Sequence, residues 1–189
     1  VEFREAWRFV APGGFAYYTV PKSAPLLVDD SLFFGSDSGT VWSISASDGQ
    51  MRWERQLPAC GRKGIWSSPA WDDGKLYIGA YNGTFYCLDA NTGASVWEAA
   101  LCEWIGSSPV IAPRHGLIFV GLEYARPRAQ GSICALSIKT GDKVWEKLLR
   151  VFQHGSGAYS DKHDLVVSGT NDHNVIALDA ASGRIRWRF

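Results

Sequence analysis

The chain has 189 residues and equal numbers of basic and acidic side chains, 19 of each, so its formal net charge is zero. Hydrophobic residues make up 46% of the sequence, which supplies enough apolar surface for a core and excludes a disordered chain. The balanced charge argues against a nucleic-acid binder. The sequence contains no run of about 18 apolar residues, the length needed to span a membrane. The length fits one domain, predicted over 1–189.

In chain order, residues 1–18 are predicted to hold one outer strand and a connection, because AWRF at 6–9 resembles RWRF at 186–189. Four repeats follow, at 19–57, 63–101, 103–149 and 151–189. In each repeat a glycine precedes a tryptophan by four residues, and successive tryptophans are 44, 48 and 42 residues apart. The pairs are Gly49 and Trp53, Gly93 and Trp97, Gly141 and Trp145, and Gly183 and Trp187. A further glycine lies upstream in each repeat, at Gly35, Gly79, Gly121 and Gly169.

Each repeat is predicted to form four short strands. The second repeat shows this most clearly, with apolar segments at 67–71, 76–79, 84–89 and 95–100 separated by Asp-Gly, Asn-Gly and Thr-Gly turns. Short, regularly spaced strands with glycine-rich turns indicate an all-β barrel, sandwich or propeller. A four-stranded unit repeated every 42–48 residues selects a β-propeller with four-stranded antiparallel blades.

The strand count is uneven, because five outer strands accompany only four sets of three inner strands. The sequence therefore predicts four full blades plus one extra outer strand, which makes the chain a fragment of a larger propeller. A closed four-bladed ring is the competing interpretation. The periodic tryptophans are predicted to pack between blades, and Trp42 and Trp71, which lie within strands, to be core residues. Cys87 and Cys134 are predicted to be buried thiols.

The repeat consensus, with its Ser-Ser-Pro and Ala-x-x-x-Gly-x-x-x-Trp elements, resembles the pyrroloquinoline-quinone (PQQ) type propeller repeat over residues 19–189. It departs from that pattern at Ser23-Ala24-Pro25 and at Ser156-Gly157-Ala158. The resemblance implies that the repeat tryptophans join blades. The family contains quinone-dependent alcohol and sugar dehydrogenases, and also non-catalytic relatives such as a lipoprotein of outer-membrane barrel assembly. The resemblance suggests a periplasmic or other extracytoplasmic location. The four separated cysteines mildly oppose a strongly oxidising compartment.

The resemblance also implies what a dehydrogenase needs: a disulfide between adjacent cysteines over the quinone, and calcium held by Glu and Asn. No adjacent cysteine pair occurs among Cys60, Cys87, Cys102 and Cys134. We therefore expect no cofactor and no metal, and a non-catalytic scaffold or recognition module. The alternatives are part of a PQQ-dependent dehydrogenase, with PQQ and calcium, and a sensor domain attached to an enzyme. Cys60 and Cys102 both lie in connections between blades, where the separation of neighbouring blades opposes a disulfide.

Residues outside the repeat pattern are the candidates for binding a protein or small molecule. Trp66 and Trp104 lie in connections between blades and have no counterpart in the other copies, although extra packing at the channel mouth would also explain them. The third repeat carries six extra residues within 123–130, which are expected to lengthen a loop. The predicted binding face comprises Trp66, Glu103, Trp104, Arg126, Arg128, His154, Asp172 and His173.

Overall fold

The structure, a computed structural model, describes residues 4–11, 23–58 and 64–189. In these ranges the chain forms sixteen β-strands and one short 3₁₀ turn at Pro113–His115. The strands are β1 Leu26–Val28, β2 Ser31–Gly35, β3 Thr40–Ser45, β4 Met51–Gln56, β5 Ala70–Asp72, β6 Lys75–Gly79, β7 Thr84–Asp89, β8 Ser95–Ala100, β9 Val110–Ala112, β10 Leu117–Tyr124, β11 Gln130–Ser137, β12 Lys143–Leu149, β13 Gly157–Ser160, β14 Leu165–Thr170, β15 Asn174–Asp179 and β16 Ile185–Arg188.

Consecutive strands pair antiparallel into four sheets of four strands each. We call them blade 1 (β1–β4), blade 2 (β5–β8), blade 3 (β9–β12) and blade 4 (β13–β16). The predicted all-β propeller architecture is thereby confirmed. None of the helical segments in the described ranges is long and apolar enough to span a membrane.

The turn before each outer strand requires glycine. Gly49, Gly93, Gly141 and Gly183 all have left-handed backbones, with φ between 67° and 76°, which side chains rarely adopt. Just beyond this turn the pairing of the third and outer strands shifts register, as between Cys87 and Leu88 in blade 2. The same irregularity occurs in all four blades, so the repeated sequence produces a repeated backbone.

Each repeat tryptophan in blades 1 to 3 docks onto the following blade rather than its own. The indole Nε1 of Trp53 donates a hydrogen bond to the carbonyl oxygen of Ala90 at 2.9 Å. The ring lies on Gly93, where a Cβ would come within 2.7 Å of it. Trp97 lies in the same way on Gly141, Trp145 on Gly183, and Trp7 on Gly49. Glycine is thus needed both for the turn and for the space the ring fills.

Two further contacts repeat at each seam between blades. Added Cβ atoms at Gly35 and Gly79 would lie 2.3 Å from Ile65 and Ile105, and one at Gly121 would lie 2.7 Å from Gln153. The segments just before the first strands are also linked by serine hydroxyls. Backbone N–H groups donate from Ala24 to Ser68 Oγ at 2.7 Å, from Ser68 to Ser108 Oγ at 3.0 Å, and from Ser108 to Ser156 Oγ at 2.9 Å.

Several residue-level predictions can be judged against this fold. Trp42, Cys87 and Cys134 are buried, as predicted. Trp71 was expected in the core and this was wrong, because the middle residue of a short first strand leaves 41% of its surface exposed. The extra outer strand predicted within 1–18 stays a prediction, because residues 4–11 pair with no described strand although Trp7 docks on blade 1. A strand needs a neighbouring strand to bond to, and the four described sheets leave none there.

Candidate functional site

One end of the blades, here called the loop face, carries two sets of segments. The connections between blades contribute residues 64–69, 101–109 and 150–156, and the turns between second and third strands contribute 80–83, 125–129 and 171–173. Loops on a rigid scaffold are where binding residues concentrate. The candidate site lies on this face, around the end of blade 3.

The β10–β11 hairpin is longer than its counterparts. Both strands have eight residues, against five and six in blades 1 and 2. The extra residues were expected to lengthen a loop, but they mainly extend the pairing, to Tyr124 opposite Gln130. Only 125–129 remains as a turn, because continued ladder hydrogen bonds satisfy more backbone groups than an open loop.

The extended strand β10 reaches the connection between blades 2 and 3. Glu123 and Trp104 form an isolated antiparallel bridge, with the Glu123 N–H donating to the Trp104 carbonyl at 3.1 Å. The Glu103 carboxylate accepts a hydrogen bond from the backbone N–H of Ala125, at the start of the turn. The hairpin end is therefore held in place by backbone contacts.

A buried carboxylate lies under this bridge. Glu123 is only 2% exposed, and its Oε1 lies 2.9 Å from Nδ1 of His154, whose side chain is partly exposed. Burial and the Glu123 carboxylate together raise the pKa of the Tyr81 phenol above its ordinary value. A buried charge needs a polar partner, and the imidazole of His154 supplies one while keeping contact with solvent.

Aromatic rings surround the carboxylate. Trp66 lies against Tyr81 with ring centroids 4.5 Å apart, and Trp104 meets Phe152 edge-on at 6.1 Å. Phe152 also contacts the His154 ring at 5.9 Å. Trp66 and Trp104 are both half-buried against the core between blades 1 and 2. They combine a packing role with an exposed edge, as interface anchors commonly do.

The structure corrects the statement that Trp66 and Trp104 have no counterparts. Ile65, Ile105 and Gln153 face equivalent glycines, so they occupy equivalent positions. The residues on either side of them therefore correspond, giving Trp104 the counterpart Phe152 and Trp66 the counterpart His154. Aligning the connections on the residue that covers the glycine would have shown this aromatic set from the sequence.

The other predicted site residues are placed less centrally. Arg126 and Arg128 are exposed in the hairpin turn, and within the described ranges neither forms an ion pair. Asp172 lies in the β14–β15 turn, where hydrogen bonds led by the Thr170 hydroxyl lower its pKa. His173 follows it, exposed and with φ of 66°. The turn is held by its own hydrogen bonds. Glu123, Tyr81 and Phe152 were not predicted.

The nucleophilic side chains near this site are buried or hydrogen-bonded. Burial raises the pKa of the Cys102 thiol to about 11, so it is protonated at neutral pH and a weak nucleophile. Ser67 and Ser107 are buried, with hydroxyls directed to backbone carbonyls. In the described part of the chain, no three His, Cys, Asp or Glu side chains could share a metal ion. Cys102 is a free thiol, and Cys60 lies outside the described residues.

The described cysteines do not fit the quinone site that the resemblance implies. Cys87 and Cys134 are single buried thiols on the third strands of different blades, and burial raises their pKa values to about 11 and about 12. No two cysteines are adjacent in the sequence, so the disulfide that covers the quinone cannot form. We derive no step through that cofactor.

Four-stranded blades joined by a tryptophan on each outer strand define a β-propeller of PQQ-like repeats. The profile of one such family, outer membrane protein assembly factor BamB, matches residues 61–189. The chain belongs to this family. No curated protein matches the sequence.

Solved structures agree on the fold. BamB from Moraxella catarrhalis has a TM-score of 0.68 and 19% identity, covering 87% of this chain and 50% of its own. Quinohemoprotein alcohol dehydrogenase from Pseudomonas putida HK5 has a TM-score of 0.75 and 18% identity, covering 89% of this chain and 34% of its own. The computationally designed Ika8 protein has a TM-score of 0.68 and 20% identity, and the match covers 87% of this chain and 48% of Ika8. The chain thus spans half or less of each, and these likenesses show the fold alone.

Proposed function

We propose that the chain is a non-catalytic recognition scaffold whose loop face docks a protein partner in outer-membrane protein assembly. The coarser part, a propeller scaffold, follows from the fold and family. Membership in a family described as an assembly factor supports a protein partner and an extracytoplasmic location. No cofactor and no nucleic acid enter this proposal.

One observation carries the location of the docking surface. The extended β10–β11 hairpin is fixed through Glu123 and Glu103 to the connection that carries Trp104, and its turn carries two exposed arginines. The half-buried ring of Trp104 in turn meets that of Phe152. Apolar anchors with a polar, charged rim are the usual composition of protein interfaces. Arg126 and Arg128, which pair with no described carboxylate, can bind acidic groups on a partner.

Site-specific photo-crosslinking tests this proposal. A photoreactive amino acid at Arg128 should give crosslinks to proteins of the outer-membrane assembly machinery, and the same group at Asp73 should give none. Asp73 is a suitable control because it is exposed in the turn between β5 and β6, at the opposite end of the blade. Equal crosslinking at both positions, or none at Arg128, would contradict the proposed docking face.

A pair of substitutions, each checked for folding by thermal unfolding, tests the docking face. Trp104→Ala should weaken partner binding by about 2 kcal/mol or more, as loss of an anchor does. Val144→Ala, at an exposed apolar position on an outer strand, should leave binding unchanged.

The rival function is tested by adding PQQ and calcium and following dye reduction with alcohols or sugars. Sustained turnover would replace recognition by catalysis as the function.

A further inference from the structure

The outer strands of blades 3 and 4 carry like charges at positions where another seam has an ion pair. At the seam between blades 1 and 2, Arg55 Nη2 lies 3.8 Å from Glu98 Oε1. Arg55 follows its repeat tryptophan by two residues, and Glu98 follows its own by one. The residues at these two positions in blades 3 and 4 are Lys147 and Arg188, which are both basic.

The tryptophan contacts and the strand registers support this equivalence. The same docking of a tryptophan joins blade 1 to blade 2 and blade 3 to blade 4. Arg55 and Lys147 both pair two residues beyond the partner of their tryptophan, and Glu98 and Arg188 pair one residue beyond. Lys147 and Arg188 therefore occupy the positions of the ion pair, where like charges repel rather than attract.

No carboxylate within ion-pair distance neutralises these cations in the described part of the chain. Lys147, Arg188 and the exposed Arg150 form no ion pair there. Glu146 is next to Lys147 in the chain, but its carboxylate is hydrogen-bonded to side chains of its own blade. Asp172 interacts electrostatically with Arg188 at a longer distance, and its carboxylate is hydrogen-bonded within its own turn. The cations are thus available to an external anion.

An exposed leucine lies among these cations. Leu148, between Lys147 and Arg150 at the end of β12, has 60% of its surface exposed. The equivalent position, three residues after the tryptophan, holds Gln56 in blade 1 and Ala100 in blade 2. Basic residues beside an exposed apolar side chain are typical of surfaces that lie on anionic membranes. The cations then meet the lipid headgroups, and the apolar side chain enters the boundary with the acyl chains.

The formal charge of the chain is divided in the same direction. Residues 102–189, which include blades 3 and 4, carry eleven basic and eight acidic side chains. Residues 1–101 carry eight basic and eleven acidic ones. A charge asymmetry of this kind favours approach to an anionic surface with blades 3 and 4 leading.

We propose that Lys147, Leu148, Arg150 and Arg188, here called the basic rim, bind the surface of an anionic membrane. Protein interfaces usually centre on aromatic anchors, and the basic rim contains none, so a lipid surface fits it better than an acidic protein segment does. This inference goes beyond the proposed function, because it concerns a lipid surface and residues outside the site around Trp104.

Vesicle sedimentation with the chain of 189 residues tests the proposal. The probes are vesicles of mixed phosphatidylglycerol and phosphatidylcholine, and vesicles of phosphatidylcholine alone. We expect binding to the anionic vesicles only, with a decline as the salt concentration rises, since salt screens interactions between exposed charges. Equal binding to both kinds of vesicle, or binding to neither, overturns the proposal.

A matched pair of substitutions separates the basic rim from the net charge. Lys147→Gln should weaken binding to the anionic vesicles about fivefold, the contribution expected of one basic residue near such a surface. Arg55→Gln removes the same charge at the equivalent position of blade 1, and should change binding by less than about twofold, because that charge lies away from the membrane. Equal losses in the two variants would assign binding to net charge and overturn the proposal.

A charge reversal separates binding from folding. Arg188→Glu places a carboxylate opposite Lys147, as Glu98 lies opposite Arg55. The variant should keep the melting temperature of the original chain or exceed it, because the repulsion is replaced by an exposed ion pair. Its binding to anionic vesicles should fall about tenfold or more. A lower melting temperature would show that Arg188 stabilises the seam, which contradicts the proposal.

The leucine distinguishes a membrane from other anions. Leu148→Gln introduces the residue found in blade 1 and should weaken vesicle binding about fivefold or more, because the apolar side chain no longer leaves water. Inorganic phosphate, added at the concentration of lipid phosphate, should not displace the protein from the vesicles. Unchanged binding by Leu148→Gln together with displacement by phosphate would make the basic rim a site for free anions. Binding of polyglutamate in place of vesicles would make it a site for acidic protein, and either result overturns the proposal.

Discussion

The blade seams and the loop face are built from opposite kinds of sequence. At the seams the same few residues recur in register, so that Trp53, Trp97 and Trp145 make one contact three times. On the loop face, the contacts around Glu123 are not repeated in the other described blades, because blade 3 departs from the repeat there. The difference teaches that repetition builds the scaffold and that departures from it create the distinctive surface. Substitutions in the two regions should therefore affect different properties.

The largest expected effect comes from breaking a seam. Trp53→Ala removes a buried ring that fills the space over Gly93 and bonds to Ala90. We expect a loss of about 3–5 kcal/mol in the free energy of unfolding, measured by urea denaturation. Partner binding by the protein that remains folded should be unchanged. A loss below about 1 kcal/mol would show that the seam tryptophans do not stabilise the propeller.

A matched pair of glycines sharpens the account of the seam. Gly93 and Gly74 have nearly the same backbone, with φ of 70° and 73°, but only Gly93 lies against a ring among the described residues. Gly74→Ala should cost about 1–2 kcal/mol, because alanine is strained in the left-handed region. Gly93→Ala should cost about 2–4 kcal/mol, because its Cβ also displaces Trp53. Equal losses in thermal unfolding would show that the ring can move aside.

Glu146 links the outer strand of blade 3 to the extended hairpin, because it accepts hydrogen bonds from Lys143, from Ser132 and from Tyr124. Burial acts to raise the pKa of its carboxyl, but these hydrogen bonds outweigh it and the pKa is lowered. A lowered pKa gives stability that is complete above the unfolded value and is lost as the pH falls through the folded value.

Glu146→Gln should therefore reduce stability by about 1–3 kcal/mol at neutral pH and flatten its decline in acid. Urea denaturation at neutral and acidic pH measures both effects. The exposed Glu5, which pairs with Arg8, provides a control substitution that should change neither. An undiminished acid decline in the Glu146→Gln variant would assign that decline to other carboxylates.

The smallest effect is expected at the exposed tryptophan. Trp187→Ala should change the stability of this chain by about 0.5 kcal/mol or less, since surface changes are usually small. The measurement is the same denaturation used for Trp53→Ala. A loss as large as that of Trp53→Ala would mean that the position stabilises its own blade rather than a seam.

The sequence supported the architecture well, because the repeat glycines and tryptophans each have a single physical role. It identified Trp104, Glu103 and His154 but not Glu123, Phe152 and Tyr81, which become neighbours only when blades 2, 3 and 4 are placed side by side. Trp71 was misassigned because periodicity locates a strand without showing which of its residues are exposed. The strand expected around Trp7 stays a prediction, since docking of its ring does not require strand pairing.

The serine-to-backbone hydrogen bonds from Ala24 to Ser156 have a consequence for how the chain comes apart. Each link joins one blade only to its immediate neighbour, so the molecule behaves as a one-dimensional array with nearest-neighbour coupling. Blades 2 and 3 are each linked on two sides, and blades 1 and 4 on one side among the described residues, so fraying should begin at these two blades and move inward. In such an array, a weakened link in the middle divides the cooperative unit, whereas a weakened link at the end only shortens it.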